Sequence, residues 1–225
     1  GDGMVLQTTS EVKLWGWAEE DTKVKVKTSW NCRKYDTVSD SEGYWMVEVS
    51  TADAGGPYEI TISDGTKKVI SDVLLGEVWI CSGQSNMEMP LGGYMHQPVA
   101  NATAHISKAF DYPQIRLLTV PSVGKSGADK SPYGFMPYEW KSATPENARE
   151  FSAIGYMFAE TLTDCLGGVP VGVMSANWGG SDVSTWMTHE YIDSTPDIDV
   201  ALAKSGVEDN TAPSSLFDNM LKPLI

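Results

Sequence analysis

Two patterns of apolar and polar residues follow one another along the chain, and they change near residue 75. The first part consists of short runs in which apolar and polar residues alternate, separated by glycine and Ser-Asp turn signals, at residues 12–18, 23–28, 44–50, 58–65 and 67–75. Period-two alternation at spacings near ten residues predicts half-buried antiparallel strands. Residues 1–75 are therefore predicted to form an antiparallel β-sandwich of the immunoglobulin or jelly-roll kind.

After residue 75 the pattern becomes typical of buried parallel strands alternating with helices. Strand, helix, strand, helix and strand are predicted in that order, at residues 77–83, 98–110, 114–120, 149–166 and 169–181. The first run, EVWICSG, is almost continuously apolar, as in a parallel strand that is covered on both faces. The alternation predicts that residues 76–225 belong to an α/β/α domain with a parallel sheet.

The helix predicted over 149–166 has the clearest apolar stripe of the chain. Separations of three and four residues recur among its members: Phe151, Ile154, Met157, Phe158, Thr161, Leu162 and Cys165. Such spacing predicts that this face packs against the sheet. Gly167 and Gly168 follow at the position of a helix C-cap.

Composition excludes several classes of partner. The chain has 225 residues and a formal net charge of −14, which disfavours nucleic acid and anionic membranes because both require basic patches. No stretch is long and apolar enough to span a bilayer. The three cysteines are widely spaced and fit neither a disulfide framework nor a zinc pattern. No phosphate-binding loop or metal-ligand spacing is found, and neither a cofactor nor a metal is predicted.

Two strand ends carry residues suited to acyl transfer. The segment WICSGQSNMEMP, residues 79–90, turns from an apolar strand into serines, a glycine and an asparagine. Such a turn exposes the hydroxyl of Ser82 or Ser85 and directs backbone N–H groups towards a developing negative charge. The second strand end, residues 177–181, contains two adjacent glycines. Short turns rich in serine and glycine are more often structural than catalytic, so either feature taken singly favours a structural role.

Taken together, these segments resemble the SGNH-hydrolase superfamily, in the branch of sialate O-acetylesterases and related carbohydrate acetylesterases. The run LLGEVWICSGQSNMEMPL resembles the nucleophile block of that branch, which carries GQSNM where other members carry GDS. Further similar blocks occur in the family's order, namely DGMVLQ, LWGWA, GYWMVEV, GGPYEITIS, FSAIGYMFAETL, VPVGVMSANWGGSDVSTWM and SSLFDNMLKPLI. The resemblance implies a β-sandwich followed by the N-terminal part of an SGNH-type, flavodoxin-like esterase domain.

Site residues are implied by the same resemblance. Ser85, rather than Ser82, corresponds to the nucleophile, and its own N–H corresponds to one oxyanion donor. A second donor corresponds to Gly179 or Gly180. The neighbours of the nucleophile in the GQSNM block, Gln84 and Asn86, are assigned to oxyanion or substrate binding.

The chain departs from the family pattern at Ser181 and, more seriously, at the catalytic base and the third oxyanion donor. Ser181 stands where the family usually has threonine, which keeps the hydroxyl. Neither the Asp-x-x-His or Asp-x-His motif of the catalytic base nor the Gln-Gly-Glu-x-Asn block of the third oxyanion donor is present. The three histidines, His96, His105 and His189, do not follow an aspartate at the required offset. We therefore expect the base, and the strands missing from the sheet, to come from a second chain or from a further segment of a longer protein.

The predicted function is that of a serine esterase that removes O-acetyl groups from a carbohydrate, either an acetylated plant glycan or a sialic acid. Only three arginines are present, so a clamp for the sialate carboxylate is not evident, and this favours a neutral glycan. The alternative is a glycan-binding module on an inactivated hydrolase scaffold. A lysophospholipase-like or thioesterase activity is a third possibility, because one fold hosts several acyl substrates. The family further implies a secreted, periplasmic or lysosomal location.

Overall fold

The computed structural model describes residues 1–122, 138–195 and 211–224. Ten strands are defined within these ranges: β1 Val5–Gln7, β2 Glu11–Trp17, β3 Lys23–Thr28, β4 Lys34–Val38, β5 Tyr44–Ser50, β6 Gly55–Ser63, β7 Lys67–Gly83, β8 Ile115–Thr119, β9 Lys141–Ser142 and β10 Val171–Asn177. Five α-helices are defined in the same ranges: α1 Ser85–Glu88, α2 Ala102–Lys108, α3 Pro145–Glu150, α4 Ala153–Cys165 and α5 His189–Ser194.

One mixed sheet runs through most of the molecule, in the order β4-β3-β6-β7-β10-β8-β9, with β1 also paired to β7. The first half of β7 pairs antiparallel with β6, and its second half pairs parallel with β10. A separate antiparallel sheet contains β2 and β5. The predicted α/β class, with an antiparallel part followed by a parallel part, is confirmed. The domain boundary predicted after residue 75 lies inside β7, and the division into two domains stays a prediction.

The antiparallel part encloses its own core between two layers. In β3 the valines are buried and the lysines exposed, as the alternation predicts. Val24 and Val26 join Ile60 of the mixed sheet and Leu14 and Val49 of the separate sheet in one hydrophobic cluster. The inward residues of the two sheets therefore face each other.

The parallel part is covered on both faces, which explains its almost continuous apolar strands. Val171 and Val173 of β10 pack into a cluster that contains Tyr156 and Ala159 of α4. Ala176 of the same strand packs on the other face in a second cluster with the residues of the C-terminal turn, such as Leu216 and Met220. Helical or turn segments on both faces of a parallel sheet are the arrangement expected of an α/β/α domain.

The prediction of a single helix over 149–166 is wrong, because the structure has two helices there, α3 ending at Glu150 and α4 beginning at Ala153. Phe151 is extended, with φ −85° and ψ 160°. The backbone at the break bonds to the segment that follows α1: the Leu91 N–H donates to the Phe151 carbonyl and the Ala153 N–H donates to the Met89 carbonyl, both at 2.8 Å. The strands predicted at 23–28 and 44–50 are observed with those bounds, as β3 and β5. The strands predicted at 67–75 and 77–83 are one continuous strand, β7, and the remaining predicted elements are observed with shifted ends.

The predicted apolar stripe of this helix is also wrong in part. Ile154 is 49% exposed and Cys165 is exposed. The buried residues of α4 are instead small or polar at most positions, namely Ala153, Gly155, Tyr156, Ala159, Glu160 and Thr163. Small side chains let the helix approach the sheet closely. Burial of the Glu160 carboxylate is tolerated because the carboxylate is paired with His105, as buried charges require.

Ser152 should contribute measurably to stability. Its hydroxyl caps α4 by accepting from the Gly155 N–H at 3.2 Å and also contacts the Met87 sulfur at 3.4 Å. We expect Ser152→Ala to lower the free energy of unfolding by about 1 kcal/mol, the usual cost of a lost N-cap. Urea denaturation measures this, with the exposed Ser107→Ala as the control. A loss no larger than that of the control would contradict the capping role.

Within the described ranges, none of the helices is long and apolar enough to cross a membrane.

Candidate active site

The end of β7 presents Ser85 to solvent. The strand ends at Gly83, Gln84 is the N-cap of α1, and Ser85 is the first residue of that helix. The N–H groups of Met87 and Glu88 both donate to the Gln84 carbonyl at 2.9 Å, which fixes the turn. Ser82 and Ser85 are both exposed, but Ser82 is still part of the strand, whereas Ser85 follows the turn. The helix thus begins at the serine that the family resemblance identifies as the nucleophile.

The glycine pair that follows β10 lies beside this turn. β10 is the parallel neighbour of β7, with Asn177 opposite Gly83. The Trp178 N–H donates to the Gly83 carbonyl at 3.1 Å, so the two strand ends are joined. A Cβ atom placed on Gly179 would stand 3.8 Å from the Ser85 Cα. The carboxyl ends of adjacent parallel strands meet at one sheet edge, and this brings together residues more than ninety positions apart.

The candidate oxyanion donors differ in what they already bind. Gln84 Oε1 accepts from both the N–H and the hydroxyl of Ser85, at 3.3 and 3.0 Å. Glu88 Oε2 accepts from the Gly179 N–H at 3.1 Å. Gly180 has a left-handed φ of +74°, and its N–H has no acceptor among the residues that the structure describes. Asn86 is exposed at the same turn.

Two of the three histidines are paired with carboxylates away from Ser85. His105 Nδ1 lies 2.5 Å from Glu160 Oε2, between α2 and α4. His189 Nε2 lies 2.9 Å from Asp218 Oδ2 on the surface. His96 is exposed, with φ +66°. Within the described ranges, no histidine is hydrogen bonded to Ser85, whose hydroxyl bonds to Gln84 instead.

Tyr94 adds a phenol next to α1 that sequence reasoning missed. Its hydroxyl lies 3.5 Å from the carbonyl oxygen of Glu88. Partial burial, and secondarily the negative charge of Glu88, raise the pKa of Tyr94. Nothing in the loop sequence GGYMHQP indicates that its tyrosine reaches back to the helix. The contact of Glu88 with Gly179 was missed for the same reason, since it joins residues 91 positions apart.

An open cleft of about 540 Å³ lies at the opposite edge of the sheet. It is lined by residues that precede β8 and β10 and by the first half of β7, such as Pro113, Gly168 and Asp72. Asp72 is eleven residues before Gly83 in the same strand, a separation of roughly 36 Å at 3.3 Å per residue. This cleft is therefore separate from the Ser85 turn. Among the described residues, no three or more histidine, cysteine, aspartate or glutamate side chains are grouped so as to hold a metal ion.

The known proteins to which this chain is similar are named as sialate or carbohydrate acetylesterases. The sialate O-acetylesterase of Homo sapiens is 28% identical over 198 residues, which cover 81% of this chain and 36% of that protein. The sialate O-acetylesterase of Mus musculus is 29% identical over 204 residues, which cover 84% of this chain and 36% of that protein. The chain thus spans about a third of the length of these relatives.

A solved structure extends the similarity to the whole chain. The crystal structure of a carbohydrate acetylesterase from Xanthomonas citri matches 99% of this chain and 46% of its own, with 32% identity and a TM-score of 0.81. No family model matches the sequence.

Proposed function

We propose that this chain, a relative of the sialate and carbohydrate O-acetylesterases, carries the nucleophile side of an active site that removes O-acetyl groups from a carbohydrate. The observation that supports the proposal most directly is the joint placement of Ser85 and the glycine turn. An exposed serine at the start of a helix, beside a turn whose Gly180 N–H has no acceptor among the described residues, is suited to acyl transfer.

The proposed reaction has two steps. The Ser85 Oγ attacks the acetyl carbonyl carbon while a base takes its proton, and backbone N–H groups bind the oxyanion that forms. The ester bond then breaks, the sugar hydroxyl leaves with the proton, and the acetyl group remains on Ser85. Water attacks this acetyl-enzyme in the same way and releases acetate, which regenerates the serine.

The base in this proposal is a histidine from outside the 225 residues, supplied by a second chain or by a further segment of the protein. Two arguments support an external base: within the described ranges no histidine is hydrogen bonded to Ser85, and the chain spans less than half of the length of its relatives. The Gln84 amide then holds the Ser85 hydroxyl until the base takes over its proton. A secreted, periplasmic or lysosomal location belongs to the same proposal.

A neutral acetylated glycan is the substrate that we propose. Arg116 is buried in β8 and bound through Nη2 to both carboxylate oxygens of Asp72, at 2.8 and 2.9 Å. Asp72 belongs to the opposite edge of the sheet, so this guanidinium is not available to bind the carboxylate of a sialate at Ser85. The negative charge of the chain also disfavours an anionic sugar.

The second candidate function is a glycan-binding module without turnover. It is favoured by the bond from the Ser85 hydroxyl to Gln84 rather than to a histidine. Both functions predict binding of an acetylated glycan, but only the esterase predicts acetate.

Acetate release from acetylated xylan, from O-acetylated sialic acid and from 4-nitrophenyl acetate separates these functions. We expect release from the complete gene product, with the highest kcat/KM on xylan. For the 225 residues alone, we expect added imidazole to restore release of 4-nitrophenol, because it replaces the missing base; the Ser85→Ala chain corrects for hydrolysis by imidazole itself. Binding of acetylated xylan with no acetate from the complete protein would favour the binding module. A preference for the sialate would contradict the proposed substrate.

A further inference from the structure

Glu88 ties the nucleophile helix to the glycine turn. It is the last residue of α1 and lies three positions after Ser85 on the same helical turn. Its Oε2 accepts from the Gly179 N–H at 3.1 Å. A Cβ atom on Gly179 would collide with this oxygen, so the contact requires a glycine at position 179. The φ of Gly179 is not left-handed, and the close approach of Glu88 is therefore the reason that the structure offers for a glycine here.

This contact occupies the N–H group of Gly179, one of the two candidate oxyanion donors in the glycine pair. Hydrogen bonds to a carboxylate are stronger than those to neutral acceptors, so a substrate carbonyl competes poorly for the Gly179 N–H. A carboxylate in the same place would also repel the negative charge that develops on the carbonyl oxygen. The N–H of Gly180 has no acceptor among the described residues.

We infer that Glu88 is a positioning residue, which anchors the glycine turn through the Gly179 N–H so that the Gly180 N–H serves as the oxyanion donor. The inference rests on the proposed function. The sequence assigns the second oxyanion donor to Gly179 or Gly180 without choosing between them, and the inference assigns it to Gly180. Tyr94 contacts the backbone of Glu88, because its hydroxyl lies 3.5 Å from the Glu88 carbonyl oxygen, and this contact helps to fix the position of Glu88. The Tyr94 pKa, raised by burial and then by the Glu88 charge, agrees with a phenol that lies close to the carboxylate.

The test compares Glu88→Ala with Glu88→Gln in the complete protein. Alanine removes the acceptor, and we expect kcat for acetate release to fall by roughly 10²-fold with little change in KM, since a displacement of about 1 Å at a reacting group has that cost. Glutamine keeps an oxygen that accepts from Gly179, and we expect it to retain most of kcat. Gly179→Ala displaces Glu88 and should reproduce the alanine phenotype. The double variant should be no worse than either single variant, because both remove one contact.

Amide hydrogen exchange of the Gly179 N–H supplies a readout that does not depend on turnover. We expect faster exchange in Glu88→Ala than in the wild type and in Glu88→Gln. Glu59→Ala, which removes a carboxylate from an exposed position in β6, is the control and should alter neither exchange nor kcat.

Three results would overturn the inference. They are unchanged protection of Gly179 in Glu88→Ala, a kcat of Glu88→Ala equal to or above that of the wild type, and additive losses in the double variant. A wild-type protein that releases no acetate from any substrate would instead contradict the proposed function, and the exchange measurement would still decide whether Glu88 anchors the turn.

Discussion

Replacing Ser85 by alanine should abolish acetate release while leaving the fold intact. Loss of the nucleophile removes the covalent step, and in a well-studied serine hydrolase this change lowers kcat on the order of 10⁶-fold. Ser85 is exposed, and its hydroxyl bonds only to the adjacent Gln84 among the described residues. We therefore expect the free energy of unfolding to change by less than about 0.5 kcal/mol, as for other surface substitutions. Acetate release and urea denaturation of the same preparation measure both quantities.

Ser82→Ala is the matched control for this prediction. Ser82 lies within β7, three residues before Ser85, opposite Ala176 of β10. It carries the same functional group on the same segment, but it precedes the turn that opens α1. We expect its variant to keep the activity of the wild type. An inactive Ser82→Ala together with an active Ser85→Ala would transfer the nucleophile to Ser82 and invalidate the site described above.

Gly76→Ala should cause a large loss of stability. Gly76 is buried near the middle of β7, where the strand leaves its antiparallel partner and pairs with β10. A Cβ atom here would collide with the carbonyl oxygen of Pro170 and would stand 2.7 Å from its carbonyl carbon. That oxygen also accepts from the Glu77 N–H at 2.9 Å, so the chain cannot retreat without breaking a ladder hydrogen bond.

The expected loss in the free energy of unfolding is on the order of 3 kcal/mol, the sum of overpacking and one weakened backbone bond. For a chain of this size, such a loss lowers Tm by roughly 10 °C. Gly167→Ala serves as the control: its Cβ meets nothing within 4 Å, but its φ of +68° is left-handed. The control should cost about 1 kcal/mol through backbone strain alone. A loss for Gly76→Ala no greater than this would contradict the close approach of β7 and Pro170. Because β7 leads directly into the turn that places Ser85, activity should fall together with the folded fraction.

Sequence alone was sufficient for the local features of this protein. The alternation in KVKVKT predicts the buried valines and exposed lysines of β3, because strand side chains point to opposite faces by local geometry. Apolar runs predict the strands that are covered on both faces, and Ser-Gly-Gln-Ser-Asn predicts a turn at the end of β7. The resemblance in GQSNM and WGG further identified which two turns to compare. All of these are properties of a few consecutive residues.

Contacts between distant residues required the folded structure. Ser152, the N-cap of α4, is a local signal for a helix start, but the extended backbone at Phe151 also depends on bonds to Met89 and Leu91, which no pattern along the chain contains. The buried face of α4 follows from its close approach to the sheet and from the pairing of Glu160 with His105. As a result Glu160 is buried and Ile154 is exposed, the opposite of what their hydrophobicity predicts. The contact of Glu88 with Gly179 depends on β10 being the neighbour of β7. Strand order is set by the packing free energy of the whole sheet, to which residues far apart in sequence contribute, and a pattern read along the chain does not contain it.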